Sequence, residues 1–512
     1  MDIQPFLVAE NVRSTGWFRP ELVLTIGTLA LFLLDLAWRR SESRARLLGG
    51  ATLAVFGLAA LMLAFQPGTP QSLFNGMIAN DAFANFFKWI FLSGGALTVL
   101  IAGPSRAYPA SRIGPFYGLL VAIVLGLFLM ASATDLLMIY MSIELVSMVS
   151  YALAGYSKGD RKASEAALKY VIFGGVASGA MVFGMSYLYG LLGTTDITRF
   201  AAAISALPTT LPYRLALILA VVLVSSGVGY KIAAVPWHMW APDVYEGAPT
   251  PFTAFLSTGP KAAGFALAAR LLWGSLDVRG SMMGLSTAVA NVPWPAVVGV
   301  LSAVTMTLGN FTALPQTNLK RLLAYSSIAH AGYALMGLSA NSFVGTQAVM
   351  VYMLAYLIMN LGAFLAVIVV ERFTGSPSIF EFRGLGHRAP LAAVSMAVFL
   401  FALTGLPPSI GFTGKYWLFV AVLDRVPGAG GTWYAVLAII AALNTAVALY
   451  YYARVLRAMF FEAPLSETEF TYPASYKWLL AGFATATVLF GIWVTPIMDW
   501  TRLSLGSFYR GG

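Results

Sequence analysis

Tyr230-Lys231-Ile232-Ala233-Ala234-Val235-Pro236-Trp237-His238-Met239-Trp240-Ala241-Pro242 closes an apolar run that begins at Tyr213. Proline lacks the donor an interior helical turn needs and clashes with the preceding turn, so a helix arriving at Pro236 breaks there. Lys231 lies about one turn earlier, within a segment long enough to cross a bilayer. Irregular backbone at that depth is tolerated only where it faces protein or a water-filled cavity, and a charge there needs a partner or a purpose. The stretch therefore reads as a broken transmembrane helix with an ionisable group at its bend. A second one runs from Leu391 past Gly405-Leu406-Pro407-Pro408 to Asp424, too long for one untilted crossing at about 1.5 Å per residue. Lys415 follows its prolines.

The composition agrees. Hydrophobic residues make up 59% of the 512 positions and charged residues 10%, against roughly 25% charged in a soluble chain. With no cysteine and three histidines, thiolate-ligated iron–sulfur clusters and disulfides are excluded and little remains for haem or metal, so any redox centre belongs to a partner. No phosphate loop or dinucleotide fingerprint is present. A formal charge of +10 spread over many loops suits anionic lipid surfaces, not nucleic acid. Met1 to Arg19 is a mixed stretch, and Leu22 to Trp38 has no small-residue cleavage pattern after it, so it reads as a retained first helix.

Cutting the chain by bilayer length gives spans 20–38, 47–65, 82–103, 114–133, 135–156, 164–192, 212–235, 253–273, 293–315, 321–340, 344–371, 390–425, 432–460 and 476–497. The expected fold is an all-α polytopic membrane protein of about fourteen transmembrane helices, the seventh and twelfth broken. Tyr151-Ala-Leu-Ala-Gly-Tyr-Ser157 returns as Tyr333-Ala-Leu-Met-Gly-Leu-Ser339, Tyr170 then falls on Tyr352, and a nearly equal shift sets Lys231 on Lys415. Spans 4–8 thus pair with spans 9–13, and an odd number of crossings per unit makes the two five-helix repeats inverted. The parts are 1–113 with three helices, 114–273, 293–460, and 476–512 with the last helix. Loops after odd-numbered spans, with the adjoining span ends, carry seventeen Lys and Arg, and the other side eight, Arg279 among them. Both termini are accordingly expected on the non-cytoplasmic side.

Six basic residues fall inside spans: Lys88, Lys169, Lys231, Lys261, Arg270 and Lys415. Glu144 sits near the middle of its span, where an ionised side chain costs roughly 2.5–3.5 kcal/mol. It is either a protonated, hydrogen-bonded acid or one that pairs with a lysine and tunes its proton affinity. Desolvation disfavours an ammonium and a nearby carboxylate favours it, so Lys231 beside a movable acid could load and release a proton, and Lys415 could do the same at the other break. Snorkelling to an interface is the bland alternative for each. Lys261, eight residues into its span, is placed as the relay between the breaks. The repeat sets Ser326 opposite Glu144, and His330 follows one turn later on the same face as a proton shuttle or a bonded core histidine. His238 beside Pro236 is a weaker end to a proton path. Lys169, four residues after Glu165, is either functional or a surface pair. Lys88 and Arg270 read as snorkellers, Asp35 with Arg39 as an interfacial pair, and Gly175 with Gly179 as a close-packing GxxxG.

Ile143-Glu144-Leu145, Glu165 to Tyr170, the whole of Tyr230 to Pro251, Gly259-Pro260-Lys261 and Thr404 to Lys415 together resemble the antiporter-like membrane subunits of respiratory complex I, the proton-pumping NADH:quinone oxidoreductase. The resemblance covers nearly the whole chain, and Asp243-Val-Tyr-Glu-Gly247 favours the subunit N branch over its L and M paralogues. It implies a proton-translocating module in a bacterial plasma (inner) membrane. Glu144 and Lys231 would be the coupled pair, Lys261 the central relay and Lys415 the exit-side lysine, with Lys169 and His238 matching further family positions. It implies no cofactor in this chain, with NADH, FMN, iron–sulfur clusters and quinone in partner subunits. Partners would be other membrane and peripheral subunits of the complex, including paralogous antiporter-like ones, and membrane lipid. Gly259-Pro-Lys has proline where the family more often has serine, which is expected to bend the start of the eighth helix. Two other classes remain open: a stand-alone monovalent cation/proton antiporter, which the lack of an acidic sodium cage disfavours, and a purely structural membrane subunit.

Overall fold

The computed structural model describes residues 4–66, 69–208, 210–274, 294–428, 431–464, 466 and 468–510; Arg279 and position 293 lie outside them. Helices dominate: α1 (Gln4–Trp17), α2 (Arg19–Ala37), α3 (Arg44–Ala64), α4 (Ala82–Ala102), α5 (Ile113–Ser132), α6 (Leu136–Ala154), α7 (Arg161–Leu192), α8 (Phe200–Ala206), α9 (Leu211–Ile232), α10 (Ala241–Gly247) and α11 (Thr250–Ala269). Then come α12 (Trp294–Ala313), α13 (Leu319–Ser339), α14 (Phe343–Thr374), α15 (Leu385–Arg388), α16 (Pro390–Thr404), α17 (Ile410–Leu423), α18 (Gly431–Phe461), α19 (Ala474–Ile492) and α20 (Thr495–Arg510). Eleven described helices are long and apolar enough to cross a membrane. Three expected spans fall outside that group: α11 and α13, diluted by the polar residues described below, and the divided pair α16 and α17. The only described strands, β1 (Gln71–Leu73) and β2 (Ile78–Asn80), form an antiparallel hairpin. Its short segments carry no periodicity long enough to detect from sequence. The mixed amino-terminal stretch is the helix α1, and α20 follows the last span and stacks Phe508 on Phe83 of α4 at 4.6 Å.

The helix starts repeat. Asp135 caps α6 and Asn318 caps α13, each carboxylate or amide oxygen accepting backbone N–H bonds, and Asp160 and Ser342 do the same for α7 and α14. The backbone staples return as well: Leu136 N donates to Thr195 O and Ile197 N to Thr134 O, echoed by Leu319 N to Pro377 O and Ile379 N to Thr317 O. Helices α7 and α14 have the same length, 32 residues. The two breaks are less alike. Helix α9 ends at Ile232, Ala233 turns left-handed with φ +56°, and α10 begins at Ala241. Helix α16 ends at Thr404, Gly405 turns left-handed with φ +91°, and α17 begins at Ile410. Lys231 therefore lies on the half before its break and Lys415 on the half after, so the shift that superposes the two lysines in sequence joins non-equivalent places.

Four side-chain expectations are corrected. Lys88 does not snorkel: its ammonium pairs with Glu21 of α2 at 2.7 Å inside the bundle. Arg270 does not snorkel either, since its guanidinium holds both oxygens of Asp81 at 2.7 and 2.9 Å and donates to Ala131 O at 2.5 Å. Both charges find acids on neighbouring helices, which is cheaper than exposing either to hydrocarbon. Asp35 pairs with Arg44 at 2.6 Å, not with Arg39, because the α2–α3 turn folds Arg44 back over it. Gly175 and Gly179 face outward, where an added Cβ would touch nothing, so among the described residues they pack against no other helix. Helix α11 runs unbroken from Thr250 to Ala269 with Pro260 inside it.

Candidate functional site

Pro407 and Pro408 carry no N–H, so the carbonyls four residues earlier, Leu403 and Thr404, lose their helical donors. Lys415 Nζ donates to both of them, at 3.1 and 2.8 Å. The Tyr333 ring covers the ammonium at 4.4 Å. The side chain is 4% exposed, Lys231 3% and Lys261 2%, which removes snorkelling as an account of all three.

Lys261, on α11, donates to Ser327 O and to Ser327 Oγ, each at 2.5 Å. Tyr245 lies 3.3 Å from the same hydroxyl, and the Tyr356 ring lies 5.8 Å from the ammonium. On α13, Ser326 Oγ is 2.5 Å from Tyr452 Oη, and Tyr452 Oη is 3.4 Å from His330 Nε2. His330 Nδ1 bonds Tyr352 Oη at 2.5 Å. The imidazole ring is 5.2 Å from Tyr356 and 6.1 Å from Tyr333, the ring that covers Lys415. Two buried hydrogen-bonded groups thus adjoin along α13, Lys261 with Ser327 and Ser326 with Tyr452, His330 and Tyr352, and the Tyr333 ring lies beside both His330 and Lys415. An imidazole with a phenol at each nitrogen can take a proton at one and give it up at the other.

Lys231 is different. Among the described residues its Nζ has no hydrogen-bond partner, although the Tyr230 ring lies 5.8 Å away. The break is tied to the second repeat by Val235 N, which donates to Thr305 Oγ1 of α12 at 3.1 Å. Glu144 is half-buried on α6 and accepts a hydrogen bond from Ser178 of α7. It is not ion-paired with Lys231, so the expected pair shares a neighbourhood but no direct contact. Tyr151 and Tyr230 stand around Gly174, where a Cβ would overlap the Tyr151 hydroxyl, and Tyr230 Oη donates to Tyr170 O at 2.9 Å.

The secondary candidates separate. Lys169 pairs with Glu165 at 2.6 Å, as its spacing suggested, and also with Asp243 of α10 at 2.7 Å. Asp243 in turn holds Arg321 of α13 at 2.5 Å, and Glu246 holds Lys162 and Arg321 at 2.9 and 3.2 Å. Burial alone would push both carboxyls up, but these cations outweigh it and hold Asp243 and Glu246 below the usual carboxylate range. His238 is buried in the first break, its Nδ1 without a hydrogen-bond partner among the described residues. Sequence reasoning missed Ser327, Tyr452 and Tyr356. A tyrosine in a membrane helix reads as an interfacial anchor, and of the tyrosines around Lys261, His330 and Lys415 only Tyr333 and Tyr352 carried a further signal, their place in the repeat.

Residues 133–443 match the family described as NADH:quinone oxidoreductase/Mrp antiporter, TM. The chain is 62% identical over 513 residues to the NADH-quinone oxidoreductase subunit N of Anaeromyxobacter sp. (strain Fw109-5), covering 99% of each. It is similar to a chain of respiratory complex I from Thermus thermophilus, solved with bound aureothin, at TM-score 0.76 and 29% identity over 94% of this chain and 98% of that one. A chain of an archaeal membrane-bound sulfane sulfur reductase shares the fold at TM-score 0.81 and 23% identity, over 95% of this chain and 97% of that one.

Proposed function

The chain belongs to the NADH:quinone oxidoreductase/Mrp antiporter transmembrane family, and from that membership we infer that it is a membrane-arm subunit of an NADH:quinone oxidoreductase, translocating protons under the drive of redox chemistry in partner subunits. It has no cysteine, so the iron–sulfur clusters of such an assembly lie elsewhere, with NADH, FMN and quinone assigned to the partners too. Those partners include paralogous antiporter-like subunits. The setting is the bacterial inner membrane, spanned about fourteen times, with both termini on the non-cytoplasmic side. The functional parts are three leading helices in 1–113, the repeats 114–273 and 293–460, and the tail 476–512.

In this reading Glu144 and Lys231 form the switch, Lys261 is the relay, His330 carries the proton onward and Lys415 releases it. Lys169 and His238 stand at the margins, the first in an ion-pair cluster and the second in the break. The observation that supports it best is the contrast between Lys231, enclosed with no hydrogen-bond partner among the described residues, and Lys261 and Lys415, each seated on acceptors with the His330 hydrogen-bond network near both. Redox-driven motion that frees Glu144 from Ser178 and moves it against Lys231, or away from it, changes the energy of the ammonium. Unit charges about 4 Å apart interact by roughly 4 kcal/mol at an effective dielectric near 20. That is ample to load or unload an amine.

Lys231→Ala in the assembled complex, reconstituted in liposomes, should abolish or strongly reduce protons pumped per electron. Normal stoichiometry in that variant would end the proposal. Stand-alone cation exchange is not favoured, because the relatives that match this chain end to end are named as oxidoreductase subunits.

A further inference from the structure

We propose that Lys261 has its own proton inlet, leading from a polar cavity at the Lys/Arg-rich loop face down α11, with Glu371 as the collecting carboxylate. The proposal rests on the reading of Lys261 as the relay and adds the source of the proton that refills it.

The cavity, of about 480 Å³, is walled by the loops after α4, α6, α12 and α14 and by the start of α11. Its wall carries Arg106, Lys162, Lys320 and Arg372. Three carboxylates line it. Asp160 caps α7, Glu246 pairs with Lys162 and Arg321, and Glu371 instead accepts a hydrogen bond from Thr250, the first residue of α11, at 2.5 Å. From Thr250 the same face of α11 presents Thr253, Ser257 and Lys261 at steps of three and four residues, about 16 Å in all.

The way between them is polar though buried. Asn360 of α14 donates to Ser257 Oγ at 2.5 Å, and its Oδ1 has no hydrogen-bond partner among the described residues. One turn along α14 the hydroxyl of Tyr356 is also without a partner, with its ring 5.8 Å from the Lys261 ammonium. Pro260 brings no N–H to the Leu256 carbonyl, next in the chain to Ser257. Enclosed acceptors and hydroxyls that protein atoms do not satisfy are the places where internal water bonds. Glu371 takes a proton from the aqueous face and passes it to this water-bearing row. The Lys261 amine gains an N–H bond and the Glu371 carboxylate is regenerated, with no redox change. The row runs along α11 and α14 and uses neither Lys231 nor His238.

The test uses the assembled complex in proteoliposomes, with electron transfer and proton uptake measured together and assembly verified by co-purification. Glu371→Gln keeps an acceptor for Thr250 and removes only the titrating oxygen, so a purely structural role survives it. Glu371→Gln and Asn360→Leu should each lower protons per electron to the level of Lys261→Ala, and Glu371→Asp should restore most of it. Should either variant fail to assemble, the other carries the test together with Ser257→Ala. Wild-type stoichiometry in the assembled variants, beside a defective Lys261→Ala, overturns the inlet and leaves the relay standing. Wild-type stoichiometry in Lys261→Ala overturns the relay and the inlet with it.

Discussion

Gly405→Ala displaces the Lys415 ammonium without removing its charge. Gly405 sits at φ +91°, and an added Cβ would lie 2.7 Å from Lys415 Cδ, with Cε and Nζ at 3.6 Å. The left-handed backbone costs a non-glycine residue about 1–3 kcal/mol. The larger consequence is that the lysine stem must move off the seat made by the Leu403 and Thr404 carbonyls. A hydrogen bond to a charged group contributes about 1.5–3 kcal/mol, so losing one of the two changes occupancy of the seat by roughly 10- to 10²-fold at 1.36 kcal/mol per decade. Proton pumping per electron, measured in proteoliposomes on complex confirmed to be assembled, should fall towards the Lys415→Ala value. Gly482→Ala is the control: nothing lies within 4 Å of its Cβ position on α19, and alanine in a helix interior gains about 0.5–1 kcal/mol over glycine. Wild-type stoichiometry in Gly405→Ala would show that the seat has no part in transfer.

Asp81→Ala leaves the Arg270 guanidinium buried and unpaired and removes the cap on Ala84 N; it should destabilise the bundle by about 3–5 kcal/mol for the broken pair and about 1 kcal/mol more for the cap. Asp81→Asn keeps the cap, so thermal unfolding of the purified complex should rank it between the wild type and Asp81→Ala. Asp243, held low by Lys169 and Arg321, joins α10 to α7 and α13. A depressed carboxyl contributes stability that is present above its unfolded pKa of about 3.9 and lost as pH falls through the lower folded value. Hydrogen exchange in 241–247 should therefore rise only in that acid range, and Asp243→Asn should make it fast at neutral pH as well; exchange independent of both would remove the latch.

The architecture was legible because hydrocarbon imposes long apolar runs and punishes interruptions. Pro236 and Pro407-Pro408 mark both breaks, and the chain does break there. The helices that fall short of a plain transmembrane composition, α11 and α13, are those carrying Lys261, Ser327 and His330, so the weak spans point to the site. The partners of those residues were not legible. A lone Lys88 or Arg270 gives no hint that Glu21 or Asp81, far away in sequence, will reach it. The hydroxyls of Tyr452 and Tyr356 arrive from helices that the sequence treats as ordinary apolar rods.

The two broken helices also solve different problems. At the second, paired prolines strip two donors from the preceding helix, and the lysine that follows the break turns back onto the freed carbonyls. At the first, the lysine precedes the break, and the carbonyl of its neighbour Tyr230 accepts from Trp240 Nε1 at 3.1 Å. An ammonium is therefore solvated by protein at Lys415 and, among the described residues, left without a hydrogen-bond acceptor at Lys231. A charge placed at Lys231 has a reason to leave, and one arriving at Lys415 has a place to stay. Under the proposed function work is supplied where the seat is poor, and Glu144 on α6, held by Ser178 and half-buried, is the residue proposed to supply it.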